Sequence, residues 1–328
     1  MKQAFFEQRH QDSWKRFGKC LEQLESGKRQ QTGEKTDTFA ADYRRICQQL
    51  ALAQERGYSS HLIDQLQQLA MRGHQQFYRH RSHLGARILA FLIAGFPRLV
   101  REEWRSIAIA SLLFYGSLLL MGVLVYHFPD LVYSVMAPER VSEMESMYSP
   151  EATRLGPMST RDAGDDWQMF GYYIMNNIGI AFQTFASGLL FCVGSLFFLL
   201  FNGLMIGTVA GHLTQVGYIE TFWSFVIGHG AFELTAITFS GAAGLKLGWA
   251  LLAPGRLSRL EALRQAAARA VQLIGGVILM LLIAAFVEGY WSSMTQFSAT
   301  VKYLVGAGLW LLVGSYFLLA GRSRHAPD

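Results

Sequence analysis

Charge is scarce in this chain: Lys, Arg, Asp and Glu make up 16% of its 328 residues, against about 25% in an average soluble domain. Together with 23 Phe, 13 Tyr, 7 Trp and a mean hydropathy of +0.21, the shortage excludes a disordered protein and argues against a purely soluble one. Cysteine is scarce too. Cys20, Cys47 and Cys192 have no C-x-x-C spacing, so neither a disulfide framework nor a zinc ribbon is expected. A P-loop, a G-x-S-x-G elbow and a G-x-G-x-x-G turn are all missing, and no cofactor is expected. The first 27 residues hold no uninterrupted apolar run of signal-peptide length, so no cleaved leader is expected.

The charge that is present is unevenly placed. Of the first 106 residues 29 are charged, but only 21 of the next 214. The basic excess sits in that front (18 basic against 11 acidic residues) and in residues 245–270 (five against one). Both stretches flank apolar runs, which is the pattern of the positive-inside rule and not of a nucleic-acid surface.

Periodicity divides the front further. Trp14, Phe17, Leu21 and Leu24, then Phe39, Tyr43, Ile46, Leu50 and Ala53, then Leu62, Leu66, Leu69 and Phe77 recur at helical spacing. Breaks at Ser26 to Gly33 and Gly57 to Ser60, the second offering a serine N-cap, predict a soluble bundle over residues 1–82. Tyr43, Arg44, Arg45 and the His74 to His83 stretch read as a solvated or docking face of it. Residues 83–106 mix apolar residues with Arg87, Arg98, Arg101, Arg105 and Pro97, which predicts an interfacial helix on the cytoplasmic leaflet.

From Ile107 the chain reads as membrane spans of about 20 apolar residues each. They are expected at Ile107 to Phe128, at 172–200, 202–217 and 222–250, at Val271 to Trp291 and at Lys302 to Ala320. Residues 129–168 carry three basic and eight acidic residues and should face outside, opposite the basic 245–270 loop. The expected fold is therefore all-α: about six crossings with both termini inside, an N-terminal soluble bundle and a short tail at 321–328.

Within that apolar region the exceptions are the candidate functional residues. Gly203, Gly207 and Gly211, and after them Ser240, Gly244 and Gly248, line helix faces at four-residue spacing. Such faces allow close backbone approach, either within the chain or across a homodimer, or line a conduit. Asn176, Asn177, Asn202, His212, His229, Glu233 and Glu288 are polar groups in apolar surroundings. His229 and Glu233 are the sharpest pair, four apart on one helix face, with Gly228 and Gly230 permitting a break or re-entrant turn. Three readings stand for the pair: a structural clamp, a proton or substrate site, and a metal site with His212 as third ligand. Because H-x-x-x-E is not H-E-x-x-H, no metalloprotease follows. Glu288 reads as a group near the outer interface beside Tyr290 and Trp291.

The run NNIGIAFQTFASGLLFCVGSLFFLLFNGLMIG and the following GHGAFELTAITFSGAAGLKLG resemble the stage II sporulation protein M (SpoIIM) family of bacterial and archaeal membrane proteins. The shared features fall on Asn177, on Asn202 with Gly203, and on His229, Gly230 and Glu233. FPRLVREEWR, YRRICQQLALAQ and LIDQLQQLAMRGHQQFY are similar to a longer branch, whose genes neighbour those of a MoxR-type AAA ATPase and von Willebrand A domain proteins. The resemblance implies an integral inner-membrane protein without catalytic residues, working with envelope-remodelling or ATPase partners. A transporter or lipid flippase built on His229 and Glu233 is the competing expectation.

Overall fold

The computed structural model describes residues 3–25, 35–77, 84–152, 154–157 and 166–322, and among them every regular element is helical. The break expected at Ser26 to Gly33, the 78–83 end of the histidine-rich stretch, and Asp162 and Asp165 of the acidic segment lie outside the described residues. The chain divides into two compact units, Met1–Gly85 and Ala86–Asp328.

In the first unit, α1 (Gln3–Glu25), α2 (Lys35–Glu55) and α3 (Ser60–Phe77) turn their apolar stripes toward one another. Phe6, Trp14, Phe17, Leu21, Ile46, Ala53, Leu62, Leu66 and Leu69 form one buried core, with Phe39, Tyr43 and Leu50 packed against it. The Trp14 indole N–H donates to Gln49 Oε1 at 2.6 Å, which satisfies the polar end of a buried aromatic. Ser59 caps α3, its Oγ accepting from Leu62 N at 3.4 Å. Leu24 departs from the expected stripe: it lies in the last turn of α1 and is exposed, while the neighbouring Glu25 accepts from Arg72 of α3 at 2.8 and 3.0 Å. Tyr43 hydrogen-bonds His74 Nδ1 at 3.2 Å, while Arg44 and Arg45 are exposed.

The second unit begins within α4 (Leu84–Ala90) and holds a π-helical turn, Phe91–Gly95, then α5 (Phe96–Glu102), α6 (Trp104–His127), α7 (Val132–Val135), α8 (Pro138–Tyr148), α9 (Asp166–Ala186), α10 (Val193–Gln215), α11 (Ile219–Leu252), α12 (Arg259–Phe286) and α13 (Ala299–Leu319). Among the described residues four helices are long and apolar enough to cross a membrane: Trp104–His127, Val193–Gln215, Arg259–Ser292 and Ala299–Leu319. The long helices α9 and α11 are less apolar for a structural reason. α11 packs against α6, α9, α10, α12 and α13, so small and polar residues take the place of lipid-facing aliphatics along it.

Helix ends sort into two groups. At one end the chain before α9 packs on the membrane helices: Thr221 Oγ1 donates to Tyr148 O at 2.6 Å and Leu155 N to Ser293 O at 3.2 Å. At the other, Arg101 donates to Phe317 O and Ala320 O at 2.6 and 2.8 Å, closing the carbonyl end of α13. Residues 83–106, expected as one surface helix, are instead broken into α4, the π-helical turn, α5 and the start of α6. Phe96, Leu99 and Val100 are buried in the core shared by α11, α12 and α13, because Gly276 leaves a hole that the Phe96 ring fills.

That hole yields a sharp contrast between neighbours. A Cβ on Gly276 lies 2.2 Å from Phe96 ring carbons, whereas one on Gly275 meets nothing within 4 Å. Gly276→Ala is expected to lower thermal stability by about 1–3 kcal/mol, an overpacking cost. Gly275→Ala is expected to be neutral or to stabilise by up to about 1 kcal/mol, both read from heat unfolding in one detergent.

The boundary between the second and third expected crossings moves. In place of spans at 172–200 and 202–217, α9 ends at Ala186 and a tight turn of Ser187–Leu189, Phe191 and Cys192 leads into α10. Phe191 and Cys192 adopt φ of 52° and 71°, a region L-residues enter only when surroundings hold them there. Ser195 Oγ donates to Thr184 O at 2.6 Å and Cys192 Sγ to Leu245 O at 3.3 Å. The turn is locked onto α11.

Candidate functional site

The glycine faces are filled from within the chain. Cβ atoms on Gly203, Gly207 and Gly211 of α10 fall 2.0 Å from Ser117 Oγ, 2.3 Å from Leu118 O and 2.4 Å from Gly122 O of α6. Those on Gly244 and Gly248 of α11 fall 2.1 Å from Ser195 Oγ and 2.2 Å from Cys192 N. Backbone meets backbone there, the packing that replaces hydrophobic drive between helices in lipid. These five glycines therefore leave no open seam for a second copy. Ser240, on the same stripe, is fully buried, and its Oγ has no hydrogen-bond partner among the described residues.

The polar candidates separate into local and convergent ones. Asn202 Nδ2 donates to Phe198 O at 2.7 Å, a bond within its own helix. Asn176 is exposed and donates to Asn177 Oδ1 at 3.0 Å; Asn177 is buried and its Nδ2 finds no acceptor among the described residues. His212 does not join His229 and Glu233 as a third ligand. Its Nε2 lies 2.7 Å from Glu145 Oε1 of α8, tying the acidic segment to α10. The acidic segment is thus partly folded back: Asp166 pairs with Arg154, Glu143 with Arg140 at 2.9 Å, and Val141 and Met144 are buried.

His229 and Glu233 sit on one face of an unbroken α11; Gly228 and Gly230 do not interrupt it. Gly228 instead lets the next element approach, since its Cβ position is 3.4 Å from Val287 Cγ1 and 3.7 Å from Ser292 Oγ. That element is a π-helical segment, Val287–Ser292, continuing α12. Its wider turn brings Glu288 inward, away from the interfacial position its neighbours Tyr290 and Trp291 suggested, and buries it at 8% exposure. One ligand-type atom from each of His229, Glu233 and Glu288 lies within 4.8 Å of the others.

Around this triad are residues the sequence alone did not single out. Ser292 Oγ is 3.1 Å from His229 Nδ1, and buried Lys302 donates from Nζ to Ser292 O at 2.8 Å. Tyr148 reaches over from α8, its ring against Phe222 and Phe225. Burial raises the Tyr148 phenol's pKa above its ordinary value, and the Glu288 and Glu233 carboxylates add to the rise. A faint signal existed for Lys302, a cation just inside an apolar run.

The stage II sporulation protein M profile matches residues 110–293, enclosing His229, Glu233, Glu288 and Ser292. The chain belongs to this family. Residues 4–79 match a second family, a domain of unknown function (DUF8413), which coincides with the first compact unit. No curated protein and no solved structure matches the chain. As a SpoIIM family member with four helices among the described residues fit to cross a bilayer, it is a membrane protein, and its His229, Glu233 and Glu288 cluster lies within the matched residues.

Proposed function

We propose that this SpoIIM family protein is a non-enzymatic scaffold of the bacterial inner membrane. On this reading six helices cross the bilayer with both termini inside, the N-terminal bundle docks a cytosolic partner, and the chain between α6 and α9 meets envelope components. The observation that carries it is the pairing of two separately compact units, each containing its own family profile. The first has its own core and a charged surface; the second has close-packed helices and an apolar exterior that includes Leu112, Leu119, Leu304 and Leu311. The basic flanks of the front and of residues 245–270 support the orientation. The longer-branch resemblance nominates a MoxR-type ATPase with von Willebrand A domain proteins as the cytosolic side.

The full chain, extracted from its native membrane in mild detergent, is expected to carry a stoichiometric cytosolic partner that is lost when residues 1–85 are deleted and the membrane unit stays folded. A partner set indistinguishable from that of an unrelated membrane protein of similar size would sink the reading.

A further inference from the structure

We propose that His229, Glu233 and Glu288 bind a divalent first-row transition-metal ion, of the Zn²⁺ or Mn²⁺ class, between α11 and the π-helical segment. The geometry is two facing pairs. His229 and Glu233 are four apart on α11; Glu288 and Ser292 are four apart on the π-helical turn opposite. Three ligand atoms, one imidazole nitrogen and two carboxylate oxygens, lie within 4.8 Å of one another, and His229 Nε2 is 3.9 Å from Glu233 Oε2. Around an ion with bonds of about 2.0–2.2 Å, ligand atoms stand roughly 3.4 Å apart. Side-chain rotations that close the cluster by about an ångström complete the set.

A second, independent observation is the support behind the histidine. Ser292 Oγ meets Nδ1 at 3.1 Å, so in the tautomer protonated at Nδ1 the hydroxyl accepts that proton and Nε2, 3.9 Å from Glu233 Oε2, offers its lone pair to an ion. Metal-bound histidines are held this way by an outer partner on the other nitrogen. Ser292 is in turn anchored, its carbonyl accepting from Lys302 Nζ at 2.8 Å. Charge points in the same direction. Two carboxylates drawn together beside an imidazole in low-dielectric surroundings favour a cation between them, and the nearby Lys302 ammonium is directed at the Ser292 carbonyl. A divalent cation balances both carboxylates. Mixed nitrogen and oxygen donors select transition ions over Mg²⁺ or Ca²⁺, which take oxygen ligands. The three protein ligands leave a further coordination position open.

The test uses the full chain without a polyhistidine tag, purified in detergent, stripped with chelator, loaded with Zn²⁺ or Mn²⁺ and desalted. Metal content by mass spectrometry is expected near one ion per chain, with a rise in Tm on loading. Glu288→Gln and His229→Gln should retain no ion. Ser292→Ala keeps all three ligands and should bind about 10–100-fold more weakly, so it reports on the site even where a ligand variant misfolds. His61→Gln, at an exposed position, should bind as wild type. Failure of either metal to be retained by the folded wild type overturns the proposal, as does equal occupancy in wild type, Glu288→Gln and Ser292→Ala. The site does not depend on the scaffold reading: partner loss on deleting residues 1–85 and metal loss in Glu288→Gln are separate readouts.

Discussion

Glu103→Ala is expected to destabilise the membrane unit by about 3–5 kcal/mol, the range seen when one partner of a buried ion pair is removed. Glu103 lies at the bend between α5 and α6, its side chain 8% exposed. One carboxylate oxygen accepts from Lys246 Nζ of α11 at 2.8 Å and the other from Arg269 Nη1 of α12 at 3.1 Å. Three helices thus meet on a single carboxylate. Alanine leaves Lys246 mostly buried without its counter-ion, and it removes the acceptor that fixes where α5 turns into α6. Arg269 fares better, being half-exposed and also bonded to Glu102 at 3.1 Å. Glu102→Ala should therefore cost under about 1 kcal/mol, the value of an exposed pair. Heat or SDS unfolding in one detergent checks the order: Glu103→Ala lowest, Glu103→Gln between, Glu102→Ala near wild type. Glu103→Leu combined with Lys246→Met should recover much of the loss, since a buried pair replaced by apolar groups leaves no unpaired charge. Equal losses for Glu102→Ala and Glu103→Ala would show that burial plays no part.

How much of this was legible in the sequence follows from where each feature stores its information. The α6, α12 and α13 spans were readable because lipid-facing helices carry their signal as uninterrupted apolar residues, and the expected bounds fall within a few residues of α6 and α13. The bundle was readable because each stripe repeats locally at helical spacing. The α9–α10 turn was not. Its cause is tertiary: the turn that holds Phe191 and Cys192 at positive φ packs through Gly188 and Cys192 against Gly244 and Gly248, more than fifty residues along the chain. Among the site residues, His229 and Glu233 shared a face on any helix, so their pairing was visible. Glu288 was misplaced because its aromatic neighbours mimic an interfacial belt, and only the π-helical turn brings it inward. His212 went the other way, captured by Glu145 from a segment whose fold carries no strong periodicity.

The largest single effect is expected at Gly248. On Gly248→Leu the protein should fail to assemble, and Gly248→Ala should already cost about 3 kcal/mol, the upper part of the overpacking range. The argument rests on what surrounds the missing side chain. A Cβ there sits 2.2 Å from Cys192 N, 2.5 Å from Gly188 O and 2.6 Å from Cys192 Sγ, and backbone atoms have no rotamer by which to withdraw. Relief requires moving the 187–192 turn. That turn is held by the Ser195–Thr184 and Cys192–Leu245 hydrogen bonds and contains two residues already at positive φ. Its displacement separates α9 and α10 together from α11, and α11 is the helix that packs against α6, α9, α10, α12 and α13. Gly179→Ala, in α9 with open space at its Cβ, is the matched control and should change Tm little. Detergent-extracted yield and gel-filtration profile read the result. A monodisperse Gly248→Leu protein with wild-type Tm would mean that the turn does not rest on α11. Because Glu233 lies on that same helix, a shift of α11 against the π-helical segment should also disperse the His229, Glu233 and Glu288 cluster, so Gly248→Ala is expected to lose bound metal although none of the ligands has changed.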